Sequence, residues 1–303
     1  MKLTILGCHS ATPKTTTHPT AQILEIKNHS FLIDCGEGTQ VQMRKYKVKF
    51  SKIKRIFISH LHGDHVFGLI GLISTFRLLN RETELTVYGP KGIKELIVTQ
   101  LRLSESFAGY PIKFHELSTK KSELIFEDKK VAVYTIPLKH RIYTNGFLFK
   151  EKLGERKLNM TEISKYAEIE ICDYQNLKNG KDYKLGNGEI IQNKNLTSDP
   201  NKPLSYAFCS DTMYHEPIVP IIQEVDLLYH EATFLKDKED LALKTKHSTA
   251  QQAAMIAKKA NVAKLILGHF SNRYKDLNEF KIEATKEFIN TYLAEEGKTF
   301  SIG

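Results

Sequence analysis

Few folds have room for "ISHLHGDHVFGL", residues 58–69. The stretch places His60, His62, Asp64 and His65 within six positions, directly after one apolar run and directly before another. "IKRIFISH" reads as a buried strand ending near His60, and "HVFGLIGLISTFRLL" reads as a helix. The cluster therefore falls on a strand-to-helix turn, where Gly63 gives the loop conformational freedom. Positions 60 and 62 do not share a helix face, so the cluster is not one side of a helix. Neutral imidazole and carboxylate are groups that zinc accepts alongside thiolate.

A metal site needs more than one loop, and three other apolar runs end in residues of the same kind. "VYTIPLKH" ends at His140, "YAFCSDT" carries Asp211, and "AKLILGHFS" carries His269. With the first cluster they make seven donors, too many for one tetrahedral zinc and suited to two. Two metals roughly 3.5–4 Å apart clamp the attacking and leaving oxygens of a phosphoryl displacement.

The rest of the chain supplies a frame for such a site. "KLTILG", "AQILEI", "SFLIDC", "IKRIFISH", "ELTVYG", "KVAVYTIPL", "YAFCSD", "VDLLYHEA" and "AKLILGHF" read as short strands. Helical patterns occupy residues 65–79, 91–103, 248–260 and 278–296, with Ser248 or Thr249 as the N-cap of the third. Alternating strands and helices predict sheets covered by helices. Residues 151–203 break this pattern. They are polar, rich in Lys and Asn, and read as an inserted arm without a core of its own. The expectation is one domain over residues 1–303 with that arm inserted.

Composition narrows the setting. Of 303 residues 41% are apolar, enough for a sizeable core. The net charge of +9 suggests an anionic partner. Cys8, Cys35, Cys172 and Cys209 are scattered with no Cys-x-x-Cys, which predicts reduced thiols in a cytoplasmic protein. No stretch approaches a membrane span, and "MKLTILGCHS" is too short a run for a signal peptide, so no membrane is expected.

"HLHGDH" resembles the motif of the metallo-β-lactamase superfamily. "FLIDCGEGTQVQ" (31–42), "HEAT" (230–233) with "HSTAQQAA" (247–254), and "GHFSNRYKD" (268–276) are similar to ribonuclease Z, the tRNA 3′-processing endonuclease family. The resemblance implies an α/β fold, a four-layer αββα sandwich with two zinc ions per subunit at one edge. By the family pattern His60, His62 and His140 hold one zinc, Asp64, His65 and His269 the other, and Asp211 bridges them. It implies precursor tRNA as substrate and a homodimer. Short bacterial members carry a Gly-Pro-rich motif in an arm at the position of residues 151–203. This chain reads "EIEICDYQNLKNG" there, with lysines at 150, 152, 157, 165, 178, 181 and 184 as alternative phosphate contacts.

The implied reaction is hydrolysis of a phosphodiester that removes the 3′ trailer and leaves a 3′-hydroxyl on the tRNA. Metal binding lowers a water's pKa from 15.7 to about 7, which makes it a nucleophile at neutral pH. Asp64 is both a ligand and a candidate acceptor of that water's proton. His247 is the expected proton donor to the leaving oxygen, oriented by Glu231 of "HEAT". Asp34 is the expected partner of a zinc-bound histidine. "CGEGTQ" offers backbone N–H groups to a phosphate. Arg273, Ser271 and Lys14, the last in "TPK" at 12–14, are expected substrate contacts. Two other readings use the same residues: a dizinc phosphodiesterase for small or cyclic nucleotide esters, and a non-catalytic nucleic-acid-binding protein of this fold.

Overall fold

The computed structural model describes residues 1–12 and 14–303; Pro13, inside the "TPK" stretch, lies outside the described residues. The chain forms two compact units, Met1–Lys150 with Leu204–Gly303, and Glu151–Pro203.

The larger unit is an αββα sandwich built on two seven-stranded sheets. The first runs in the order Thr299–Ser301, Lys2–Gly7, Ala21–Ile26, His29–Ile33, Ile53–Phe57, Leu85–Pro90 and Ile112–Leu117. Its pairs are antiparallel up to His29–Ile33 and parallel beyond it. The second runs Thr291–Leu293, Leu265–Gly268, Leu227–Glu231, Ser205–Cys209, Asn145–Glu151, Val131–Pro137 and Leu124–Glu127. Side chains alternate across each sheet. Phe31 and Ile33 point into the core between the sheets, where Phe57, Phe147, Phe149 and Tyr206 meet them. Leu32 points the other way, onto Leu69, Leu72, Ile73 and Phe76 of helix Gly68–Leu78. Helix Ala250–Lys259 covers the second sheet with Ile256 and with Ala253, Ala254 and Ala257, whose small side chains let it lie close. It opens on a capping box in which the Thr249 hydroxyl accepts from Gln252 N–H.

Several expected boundaries shift for identifiable reasons. The strand read as "IKRIFISH" ends at Phe57. Ile58 still donates to Tyr88 O, but Ser59 N–H turns away to Asp34 Oδ1. The helix expected over 65–79 is two pieces, Gly63–Val66 and Gly68–Leu78. Gly68 N–H donates to Cys35 O at 2.9 Å, and a Cβ at Gly68 would lie 2.0 Å from Gly36 O. Gly36 of "CGEGTQ" thus serves close packing under the turn, where a Cβ would lie 2.4 Å from Asp64 O. The Gly36 N–H is used by Thr20 O instead of being left for a phosphate. The helix expected over 278–296 stops at Thr285, because Thr291–Leu293 pairs in parallel with Leu265–Leu267 as a sheet edge. Strands Ile112–Leu117, Leu124–Glu127 and Asn145–Glu151 were not anticipated from the sequence.

The unit Glu151–Pro203 does contain a core, contrary to expectation. Ile163, Ile169, Leu177, Ile191 and Leu196 are buried together, with Tyr166, Tyr174 and Tyr183 packed around them. Helices Met160–Ile163, Tyr174–Lys178 and Asn193–Leu196 and two short ribbons bring these residues together. The buried Asn193 amide ties them, donating to Leu177 O and Lys181 O at 2.8 and 2.9 Å. Its buried apolar residues sit singly on elements of two to five residues and the loops between them, too short for any periodicity to betray them.

Candidate metal centre

The seven sequence-derived donors follow the ends of four strands, one in the first sheet and three in the second, and meet at one end of the sandwich. After Phe57 the chain passes through Ile58 and Ser59 to His60, and His62 caps helix Gly63–Val66 in an extended conformation. That reversal sends His60 and His62 to one side and Asp64 and His65 to the other. His140 follows strand Val131–Pro137, Asp211 follows Ser205–Cys209, and His269 follows Leu265–Gly268. Asp34, Asp211 and His269 all have left-handed backbones, with φ of 56°, 61° and 58°. A left-handed residue is uncommon outside glycine, and three at strand ends around one site mark where the chain is bent to aim a side chain.

One donor atom from each of His60, His62, His140 and Asp211 lies within 4.8 Å of the others, and the same holds for Asp64, His65, Asp211 and His269. Asp211 belongs to both groups. Its Oδ2 is 3.5 Å from His60 Nε2 and 3.7 Å from His140 Nε2, while Oδ1 is 3.2 Å from both His65 Nε2 and His269 Nε2. Asp64 Oδ2 closes the second group, 3.3 Å from His269 Nε2 and 3.5 Å from His65 Nε2. These are two clusters positioned to chelate metal ions.

The outer hydrogen bonds fix which nitrogen faces inward. Asp34, fully buried, accepts from Ser59 N–H, from the Ser59 hydroxyl and from His65 Nδ1, at 2.7, 2.9 and 2.7 Å. Ser59 Oγ, its proton given to Asp34, accepts from His60 Nδ1 at 3.0 Å. His140 Nδ1 donates to Lys246 O at 2.9 Å. The Thr233 hydroxyl donates to Glu231 Oε2 at 2.7 Å and accepts from His269 Nδ1 at 2.9 Å. Each of these four rings therefore directs a bare Nε2 at the centre, the arrangement metal-bound histidines adopt. His65 Nε2 is buried without a hydrogen-bond partner. Such a nitrogen is costly to leave unsatisfied, and a cation among these lone pairs and carboxylates satisfies it. The all-nitrogen-and-oxygen donor set fits zinc.

Electrostatics agrees. Burial holds His60 well below the usual imidazole range, in its neutral ligand form. Burial alone would raise Asp211, but His269, His65 and His60 around it hold it well below the usual carboxylate range. Asp64 is lowered in the same way by His65 and His269 against the pull of burial.

Beside the clusters stands a second pair. Glu231, fully buried, accepts from Thr212 N–H at 2.9 Å and from His247 Nδ1 at 2.8 Å through Oε1, and from Thr233 through Oε2. Burial would lower His247, but the Glu231 carboxylate outweighs it and raises the ring to about 9. His247 leaves the capping of the next helix to Thr249. Its ring centroid is 5.0 Å from His140 and 5.3 Å from His269.

An open cleft of about 600 Å³ exposes the site, lined by His62, Asp64, Asp211, His247 and His269. Arg273 and Ser271 line it too, and the Arg273 guanidinium sits over the Phe234 ring. Lys14 instead lines a neighbouring cleft and donates to Asn272 O at 2.8 Å. Arg141 lines the main cleft and was not singled out from the sequence. Its place directly after a donor was the only signal. Ser59 and Thr233 were likewise missed, since a hydroxyl acting through a histidine leaves no pattern.

Residues 1–154 match a family model described as Anti-Pycsar protein Apyc1. The chain is 46% identical to "Ribonuclease Z" of Parabacteroides distasonis over 300 residues, covering 99% of this chain and 98% of that one. It is also 46% identical to "Ribonuclease Z" of Cytophaga hutchinsonii over 302 residues, 99% and 96% of the two chains. Among solved structures it is similar to the short form of human tRNase Z, with a TM-score of 0.72 and 28% identity over 100% of both chains. It shares its fold with YhfI from Bacillus subtilis, with a TM-score of 0.69 and 16% identity over 99% and 98%.

Proposed function

Because the chain belongs to the ribonuclease Z family of the metallo-β-lactamase superfamily, we propose that this metal-dependent hydrolase removes the 3′ trailer from precursor tRNA. One phosphodiester is hydrolysed and a 3′-hydroxyl is left on the tRNA. The observation that carries this reading is likeness to ribonucleases Z along essentially the whole chain.

In this reading His60, His62 and His140 hold one ion, Asp64, His65 and His269 hold the other, and Asp211 spans both. The inward Nε2 atoms and the orphaned His65 nitrogen support it. Bound there, the ions supply Lewis acidity and a water acidified enough to attack phosphorus at neutral pH. Asp64 accepts that water's proton. His247 carries its proton on the ring nitrogen facing the cleft, and delivers it to the departing oxygen. Glu231 keeps His247 charged and oriented. Arg273, Ser271 and Lys14 contact substrate phosphates. Asp34 fixes His65 through Nδ1. The four free thiols agree with a cytoplasmic protein, no described helix is long and apolar enough to cross a membrane, and the family expectation is a homodimer.

The test is to incubate the purified protein with a precursor tRNA bearing a 3′ trailer and map the new end. The expected product is mature-length tRNA with a 3′-hydroxyl. Hydrolysis of a cyclic nucleotide or small diester with the precursor left intact would overturn the tRNA assignment in favour of a small-ester phosphodiesterase.

A further inference from the structure

The metal cleft does not end at the ions. A second cleft of about 500 Å³ shares Ala11, Gly63 and Asp64 with it and continues past Lys14, His18 and Phe67. Phe67 is the feature of this second cleft that its fold does not require. The residue before it, Val66, is buried, and the helix after it buries Leu69, Leu72, Ile73 and Phe76. Phe67, at the break between the two helical pieces, is 61% exposed. Its ring leans on Gly63, where a Cβ would lie 2.3 Å from ring atom Cε2. The motif that supplies the donors thus also leaves bare backbone on which an aromatic ring is seated, three residues from Asp64.

We propose that Phe67 is a stacking platform for the nucleobase next to the scissile phosphate. This deepens the RNA reading and rests on it. An aromatic face takes any base, because every base has a π-face. The surroundings fit a nucleotide better than a purely apolar ligand. Lys14 offers a cation to a neighbouring phosphate, and Asp64, a donor of the second cluster, lines both clefts beside the phosphate to be cut. A strand laid across both clefts has its scissile phosphate over Asp64 and Asp211 and its adjoining base against Phe67.

The protein has no tryptophan, so Phe67→Trp introduces a single reporter. The metal-loaded variant is titrated with a short single-stranded oligodeoxynucleotide and with an abasic strand of the same length. Quenching by the base-bearing strand and not by the abasic one is expected. In parallel, Phe67→Leu, which keeps apolar bulk but has no π-face, should bind the base-bearing strand roughly five- to 150-fold more weakly than wild type. The abasic strand should show no such difference. Fluorescence unmoved by the base-bearing strand, or equal binding by Phe67→Leu, would overturn the platform. A signal that changes with protein concentration alone would assign Phe67 to contact with a second copy and overturn it too. Trailer mapping on wild type judges the tRNA reading separately. If wild type cuts the precursor and the reporter stays silent, only the platform fails; if it does not cut and the reporter quenches, only the tRNA reading fails.

Discussion

Asp211 is the residue on which both clusters depend. It presents Oδ2 to His60 and His140 and Oδ1 to His65 and His269, whereas His269 belongs to only one of the two clusters that Asp211 joins. Asp211→Ala should therefore empty or loosen both metal sites, and His269→Ala mainly one. Elemental analysis of the two purified variants checks this, and two tightly held ions in Asp211→Ala would sink the bridging role. His247 is the contrasting case. Its Nδ1 is committed to Glu231, so the proton transfer proposed for it falls to the other ring nitrogen. His247→Ala should retain both ions and bind precursor tRNA, yet cleave it about 10²–10⁴-fold more slowly, the usual worth of a general acid. A nitrophenyl phosphodiester, whose leaving oxygen needs no proton, should suffer far less. Equal losses on the two substrates would make His247 a structural residue.

At the scale of elements, the insertion Glu151–Pro203 separates substrate binding from chemistry in an experiment. It has a core of its own, and all seven donors lie outside it. Its exposed lysines, Lys157, Lys165, Lys181 and Lys184 among them, suit a phosphate backbone. A Gly-Ser linker in its place should weaken precursor tRNA binding and flatten the log–log salt dependence by about 0.7–0.9 per lost contact. Hydrolysis of a small phosphodiester should persist. Unchanged affinity and slope would deny the insertion any part in holding RNA.

The whole molecule is built so that its two sheets converge on the metals, and its stability should register their presence. Each cluster gathers buried nitrogens and carboxylates from both sheets, with His60 and His65 following the first and Asp211 and His269 following the second. Ions that bind only the folded state stabilise it by mass action, about 2.7 kcal/mol at a hundred times Kd for one site. Chelation should lower the melting temperature, and stoichiometric zinc should restore it. An unchanged melting curve after metal removal is verified by elemental analysis would show that the clusters contribute nothing to folding.

Much of this was already determined by the amino-acid order. Apolar runs marked nine of the fourteen strands in the two large sheets, because burial on a sheet face demands them over several consecutive residues. The "HLHGDH" cluster announced a metal centre, because no ordinary turn crowds four donors together. Ser248 or Thr249 announced a helix start, and the structure puts the cap at Thr249. What only the tertiary structure decided depends on residues far apart in the chain. Strand order and register bring His140, Asp211 and His269 to His60, and left-handed turns at Asp34, Asp211 and His269 aim their side chains. Ser59 and Thr233 acquire their roles from the rings they touch. The helix over 278–296 was cut short by an edge strand that exists only because Leu265–Gly268 offers it a partner. The insertion's core is assembled from single apolar residues on very short helices, strands and loops. Local pattern reaches as far as one element's own hydrogen bonds and burial; beyond that, contacts across the sheets settle the outcome.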